Sequence, residues 1–257
     1  AGADGAVRKW DVASGKQIWL REGLGSIHAV AASPNGKFLA AATNGAQQIT
    51  LLDSESGEVA TTMGPKGHKT HSLAFSPDGK FLLAGDYPGA TTLWNVESGE
   101  VERILTAKGP SIETVAISRD GRIAMAADYE DTIRLWDAHD WKLLREIRGG
   151  YRDAALSSDG RFVVCGGGKV FDTQSGKLVK TLAMPKVGSI QLTPDDRHVV
   201  FCQGSSQLRV IDFASGQEVA SAENATQALN EVAVSPDGRH AVTGGGWKWD
   251  GKMVRSG

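Results

Sequence analysis

Two histidines three positions apart, His68 and His71, are the closest pair of that residue type in the chain. Imidazole is a common metal ligand, yet a zinc-type site needs a third ligand and often a fourth. No cluster of Cys, His or Asp stands beside the pair to supply one, so a metal centre is not expected and His71 reads as a surface residue. Glycine runs at 166–168 and 244–246 have the composition of phosphate loops. Neither precedes a helical pattern or carries the Lys-Ser/Thr of a P-loop, and both read as hairpin turns. Acids such as Asp53, Glu55 and Asp172 fall where an Asp caps its own backbone, so no carboxylate dyad is expected. A Gly-x-Ser-x-Gly elbow is missing from the sequence. Cys165 stands where Ala41, Ala84, Ala126 and Thr243 stand at the same offset from a recurrent turn, and reads as an inert filler of a small slot. The one trio from which a catalytic or metal-bearing site could be assembled is His28, His71 and Glu113.

A second set is defined by recurrence. Six residues before the second position of a repeated Ser-Pro-Asp-Gly turn stand His28, His71, Glu113, Arg152, Gly188 and Asn230. Eight residues before it stand Ser26, Lys69, Ser111, Gly150, Lys186 and Ala228. These positions are polar, mixed in charge and different each time, whereas neighbouring Ile27, Ile112 and Val115 are apolar. Packing explains the second group and not the first.

The elements that must position them follow a period near forty-two. The Ser-Pro-Asp-Gly marker ends at Gly36, Gly79, Gly121, Gly160, Asp196 and Gly238, spacings of 43, 42, 39, 36 and 42. A second marker, a large apolar residue followed by Asp or Asn, ends at Asp11, Asp53, Asn95, Asp137, Asp172, Asp212 and Asp250. The first suits a type I turn, with Pro fixing φ at its second position and Gly accepting φ > 0 at its fourth. Apolar runs flank it, such as Ser72-Leu73-Ala74-Phe75 and Lys80-Phe81-Leu82-Leu83. A third run alternates (Thr132-Ile133-Arg134-Leu135-Trp136), and after a Ser-Gly turn comes a more polar fourth. Four short antiparallel strands per repeat, a to d, are the unit of a β-propeller.

Thr132-Ile133-Arg134-Leu135-Trp136-Asp137 and Val7-Arg8-Lys9-Trp10-Asp11 resemble the strand c signature of the WD-repeat family, and Gly67-His68 resembles its Gly-His dipeptide. The likeness covers essentially the whole chain. With a single Gly-His, the family's His–Ser/Thr–Asp–Trp tetrad cannot form in every repeat. Repeats such as Val170-Phe171-Asp172-Thr173-Gln174-Ser175-Gly176 are more similar to bacterial YVTN-type propellers, which implies a divergent and bacterial member. The resemblance implies an all-β propeller of seven-bladed type: a half blade at 1–23 and repeats at 24–66, 67–109, 110–149, 150–185, 186–225 and 226–257. In the last, Trp249-Asp250 would close strand c and Lys252-Met253-Val254-Arg255 would form strand d. Strand a is the innermost strand of a blade, so the polar set becomes a ring at the mouth of the central channel, a surface that binds peptides and proteins in this family. The implied site is therefore His28, Lys69, His71, Glu113, Arg152, Lys186 and Asn230, on a non-catalytic scaffold without cofactor or metal. The alternative is a lactonase- or quinoprotein-like propeller. Most Trp fall at repeat positions; Trp19, Trp141 and Trp247 do not, and are candidates for exposed contacts.

Composition bounds the partners. With 28 Lys and Arg against 30 Asp and Glu, the net charge is −2, which supplies no overall basic field for nucleic acid or an anionic membrane. Apolar runs fall far short of the ~18 residues of a spanning helix. Cys165 and Cys202 make no disulfide framework and fit a reducing compartment such as the cytoplasm without assigning one. The chain opens without Met, at Ala1-Gly2-Ala3, and reads as an excerpt of a longer protein whose incomplete blade invites self-association.

Overall fold

Each reversal of the chain is held by its own turn residues. Ser76 Oγ donates to Asp78 Oδ1 (2.6 Å) and accepts the Phe81 N–H (2.9 Å), while Asp78 Oδ1 accepts the Lys80 N–H at 3.0 Å. The same bonds recur around Ser33, Ser118, Ser157, Thr193 and Ser235. The fourth residue closes the turn at positive φ, 71° at Gly79. In the c–d turns Asp53 Oδ1 accepts both the N–H and the hydroxyl of Ser56 at 2.8 Å, a pattern repeated at Asp11, Asp172 and Asp212. Short polar side chains bonding backbone two to five residues on are what make these tetrapeptides turns in any context.

The computed structural model describes residues 4–44, 49–64, 69–150, 152–203, 207–223, 229–245 and 254–255. Strands β1 (Val7–Trp10) and β2 (Gln17–Arg21) form a hairpin. Five four-stranded antiparallel sheets follow, each in simple sequence order. The first has β3 (Ser26–Ala32), β4 (Phe38–Asn44), β5 (Ile49–Asp53) and β6 (Val59–Met63). The second has β7 (Lys69–Phe75), β8 (Phe81–Tyr87), β9 (Thr91–Asn95) and β10 (Val101–Thr106). The third has β11 (Ile112–Ile117), β12 (Ile123–Asp128), β13 (Thr132–Asp137) and β14 (Leu143–Arg148). The fourth has β15 (Ala154–Leu156), β16 (Phe162–Cys165), β17 (Lys169–Asp172) and β18 (Leu178–Thr181). The fifth has β19 (Ser189–Leu192), β20 (His198–Gln203), β21 (Gln207–Asp212) and β22 (Glu218–Glu223). Last come β23 (Leu229–Val234), β24 (His240–Gly245) and β25 (Val254–Arg255) in a three-stranded sheet. No helix among the described residues is long and apolar enough to cross a membrane.

These sheets are the blades of a β-propeller fold, but their number corrects the expectation. Five complete blades are described where six were expected, with a hairpin before them and three strands after. The last sheet departs in register too. In the complete blades the first residue of strand b faces the Asp or Asn that closes strand c: Phe38 faces Asp53, Phe81 faces Asn95, and His198 faces Asp212. In the last, His240 faces Arg255 and Ala241 faces Val254. Val254–Arg255 thus occupies the strand c position instead of strand d, and Trp247, Trp249 and Asp250 lie outside the described residues. The unpaired edge of a strand accepts any extended segment, and small residues on β24 such as Ala241 and Gly244 pin the register weakly.

Two compact units divide the chain at residue 117. In the first, Ala40, Ala42, Leu51 and Met63 of one blade pack against Leu82, Ala84 and Trp94 of the next. Leu83 is equally buried. Strands b and c are covered on both faces, which is why they read as unbroken apolar runs. In the second unit Val164, Val170 and Leu182 meet Val199, Phe201 and Ile211. Each such buried side chain contributes about 1.5–3 kcal/mol. Strand d ties one blade to the next at its outer edge. Trp19 Nε1 donates to Ser54 O (3.0 Å), Arg145 Nη2 to Gln174 O (2.7 Å), and Lys180 Nζ to Phe213 O.

Candidate functional site

All seven residues expected at the mouth stand at or just before the first strand of a blade: His28 on β3, Lys69 and His71 on β7, Glu113 on β11, Arg152 before β15, Lys186 before β19, and Asn230 on β23. The structure adds a feature that the sequence did not signal. Pairing of the first strand with the second shifts between Ile27 and Ala29, between Thr70 and Ser72, and between Leu229 and Glu231. The residues skipped are His28, His71 and Asn230. A bulge adds one residue to a strand, bends it, and re-aims the extra side chain. The apolar neighbour remains in the core, as Ile27 does.

In the first unit four of the expected residues come together. The rings of His28 and His71 stack with centroids 6.1 Å apart and planes at 25°. His71 Nδ1 lies 3.3 Å from Ser111 Oγ and 3.9 Å from Glu113 Oε1. Behind the stack, Ser72 Oγ accepts the Val115 N–H at 3.0 Å and locks β7 to β11. Lys69 is exposed at the head of β7 and faces Tyr87, itself exposed, at the end of β8. Partial burial of the His28 ring, then the charges of His71 and Lys69, hold its pKa below the ordinary value. In the second unit the Arg152 guanidinium lies 3.5 Å over the Tyr129 ring, a cation–π contact. Lys186 and Asn230 are exposed at the openings of their own blades.

Sequence reasoning missed Tyr87 and Tyr129. Their signal was present: Asp86-Tyr87 and Asp128-Tyr129 recur forty-two residues apart in the hairpin joining strands b and c. The acids of these pairs are buried. Asp86 Oδ1 accepts the Ala90 N–H (2.7 Å). Asp128 Oδ1 accepts those of Glu130 (3.0 Å) and Thr132 (2.9 Å), and its Oδ2 takes Arg134 Nη1 at 2.9 Å. They are structural acids that hold the hairpin backbone.

Two aromatic expectations are overturned. Trp141 is buried: it takes the turn position held elsewhere by Gly, at φ 60°, and this left-handed turn carries its indole inside. Trp19 is half-buried, its ring lying where a Cβ on Gly57 would meet it at 2.9 Å. Trp247 and the Gly67-His68 dipeptide lie outside the described residues. Cys165 is buried, and burial followed by the neighbouring Glu231 pushes the Cys202 thiol up to about 12, far from a nucleophile's range. The small slot is not universal, since Phe201 fills it in the fifth blade with no exposed surface. Among the described residues no three His, Cys, Asp or Glu side chains are placed to share a metal ion. A groove of about 740 Å³ between β20–β22 and β23–β24 is walled mainly by apolar side chains, among them Val200, Leu208, Val219 and Val234.

Four-stranded antiparallel blades in sequence order define a β-propeller. Residues 58–95 and 99–137 match the family model of the WD domain, G-beta repeat. The chain is 36% identical over 100 residues to the small ribosomal subunit protein RACK1 of Candida albicans, covering 37% of this chain and 32% of that protein. It is 44% identical over 55 residues to the small ribosomal subunit protein RACK1z of Arabidopsis thaliana, covering 21% and 17%. The matched stretches span about a third or less of the length of these relatives. Together the matches support a WD-repeat β-propeller family for the chain.

Proposed function

We propose that this protein is a non-catalytic interaction scaffold that binds a protein or peptide through the strand openings of its blades, with His28, Lys69, His71, Glu113, Arg152, Lys186 and Asn230 as contact residues. The observation that carries the reading is the bulged pair His28 and His71. An extra residue is inserted at the same place in successive blades, and both times it is an imidazole aimed out of the core. The likeness to WD repeats and to RACK1 proteins supports a scaffold over an enzyme.

The test is co-purification from a lysate of the encoding organism with wild-type protein and with His71→Ala/Glu113→Ala/Arg152→Ala. These side chains are partly exposed, so each replacement changes stability by about ±0.5 kcal/mol, whereas truncating a paired charge at an interface costs about 2–5 kcal/mol of binding. Partners retained by wild type and lost by a folded triple variant support the site. A folded triple variant that keeps every partner moves the contact surface elsewhere.

A further inference from the structure

We propose that the shared opening of β3 and β7 is a seat for a carboxylate side chain of an acidic peptide, held between the His28 ring and the Lys69 ammonium, and that the peptide arrives with a proton taken up by His28. This rests on the scaffold reading above and names the ligand class of that same surface.

Three observations carry it. The first is the allocation of partners. His71 is engaged by Ser111 Oγ at 3.3 Å and lies 3.9 Å from Glu113 Oε1, which leaves the one acid of the cluster committed to it. Among the described residues no carboxylate pairs with Lys69 or His28. An imidazole that can gain a proton and an ammonium therefore stand at the openings of neighbouring first strands, with no described carboxylate paired to either.

The second is geometry. His28 and His71 are both bulged residues, stacked at 6.1 Å, so the position of the His28 ring is set by two strand distortions as well as by its own rotamer. Lys69 lies two residues before His71 and pairs across the ladder with Tyr87, and both residues are exposed. An exposed ammonium beside a protonatable imidazole suits an acidic side chain on an extended peptide.

The third is the electrostatic setting of His28. The groups that act on it are His71 and Lys69 from β7; Glu113 of β11 reaches His71. Partial burial, then His71, then Lys69 all disfavour the imidazolium and hold the pKa of the free ring below the ordinary value. A carboxylate placed against it reverses that balance and raises its pKa. Proton uptake and peptide binding then reinforce each other, and affinity rises as pH falls toward the free-state pKa.

The test uses the whole 257-residue chain. The probes are a blocked hexapeptide of alternating Glu and Gly, its Gln counterpart, and inorganic phosphate as competitor. Calorimetry is run between pH 8 and pH 6 in two buffers of different ionisation enthalpy. The Glu peptide is expected to bind at least about tenfold tighter than the Gln peptide. Its affinity should rise by up to about tenfold per pH unit where one proton is taken up. His28→Gln should abolish the uptake and flatten the pH profile. Lys69→Gln should weaken binding at both pH values and leave the slope. Should His28→Gln fail to fold, the ring C–H resonance of His28 in the wild type must titrate at higher pH with the Glu peptide than without it. Equal affinity for the two peptides, proton release, or a slope that survives His28→Gln overturns the proposal. Phosphate that displaces the Glu peptide supports a shared anion seat; phosphate that binds where the peptide does not overturns the peptide as its occupant. Partners lost by the triple variant, with no acidic-peptide binding, leave the scaffold reading standing and remove this inference.

Discussion

In the second and third blades the hairpin between strands b and c is held by a buried side chain. Asp86 and Asp128 accept the hairpin N–H groups, and Asp128 also takes Arg134, which reaches on to Glu146. Both acids fall inside the stretches that match the WD family model. The fourth blade makes the same reversal without a carboxylate. Gly168 stands at φ 83°, its N–H donating to Cys165 O and its carbonyl accepting the Leu182 N–H, each at 2.8 Å. A Cβ there would lie 2.3 Å from Leu182 O. The fifth blade fills its centre with Phe201, fully buried where the others place Ala or Cys. One architecture is thus specified by a polar network in one region and by backbone conformation and apolar volume in another. A family signature can fade while the four-stranded sheet persists, because the sheet needs its hairpin N–H groups satisfied and does not need a particular group to do it.

If that contrast is right, substitutions should divide the blades by mechanism. Asp128→Ala has the largest expected effect, about 3–5 kcal/mol, because it strips a buried acid from Arg134 and from two hairpin N–H groups. Asp128→Asn keeps an acceptor and should lose less. Urea midpoints of the two variants check this, and equal losses would mean that the charge matters more than the hairpin bonds. Gly168→Ala comes next at about 1–3 kcal/mol, since it adds a side chain at positive φ against a carbonyl. A neutral result would show that the fourth hairpin relaxes easily.

A smaller effect sharpens the comparison within the second unit. Asp196 stands at φ 57° where other blades use Gly, and its carboxylate accepts the Ser158 N–H at 2.9 Å. Ser158 in turn stands where four other repeats have Pro (Pro34, Pro77, Pro194 and Pro236), which has no N–H to offer. Asp196→Gly should cost about 1 kcal/mol in the native background, the lost bond outweighing the relieved backbone. In a Ser158→Pro background the same change should be neutral or stabilising. A double-mutant cycle by chemical denaturation reads the sign.

The smallest effect per residue should be common to all blades. Asp11, Asp172, Asp195, Asp212 and Asp237 all have pKa values lowered, chiefly by hydrogen bonds from a Ser or Thr hydroxyl in the same turn. A carboxyl whose folded pKa is depressed contributes stability above its unfolded value, and that contribution disappears as pH falls through the folded one. Stability should therefore hold down to about pH 4 and then decline, while Asp→Asn at any one turn should reduce the slope slightly. Melting temperatures from pH 6 to pH 2 test this, and a decline starting well above pH 4 would point to groups outside the turns.

The site was half legible. His28, His71 and Glu113 could be picked out because a polar residue recurred where packing asked for nothing. Their bulges could not, since an extra residue in one strand is defined only against its partner strand. Trp141 misled for a related reason. An aromatic at a turn position looks exposed until the left-handed backbone that buries it is known. Asp86 and Asp128 went unremarked because an acid in a turn is usually solvated, and only neighbouring strands show these two to be enclosed.

By itself the sequence determined the strands, the turns and the period. Ser-Pro-Asp-Gly and Asp-x-x-Ser-Gly act over two to five residues through bonds that the tetrapeptide completes alone, such as Ser76 to Asp78 and Asp53 to Ser56. The tertiary structure alone decided which residues meet across some forty positions: the stack of His28 on His71, the seat of Trp19 on Gly57, and the bond from Ser158 to Asp196. The same rule decided the last sheet, where Val254–Arg255 took the edge that the repeat had reserved for Trp249-Asp250. Local hydrogen bonds carry their partners with them in the sequence. A strand edge does not name its partner, and the pairing follows from whichever side chains pack best beside it.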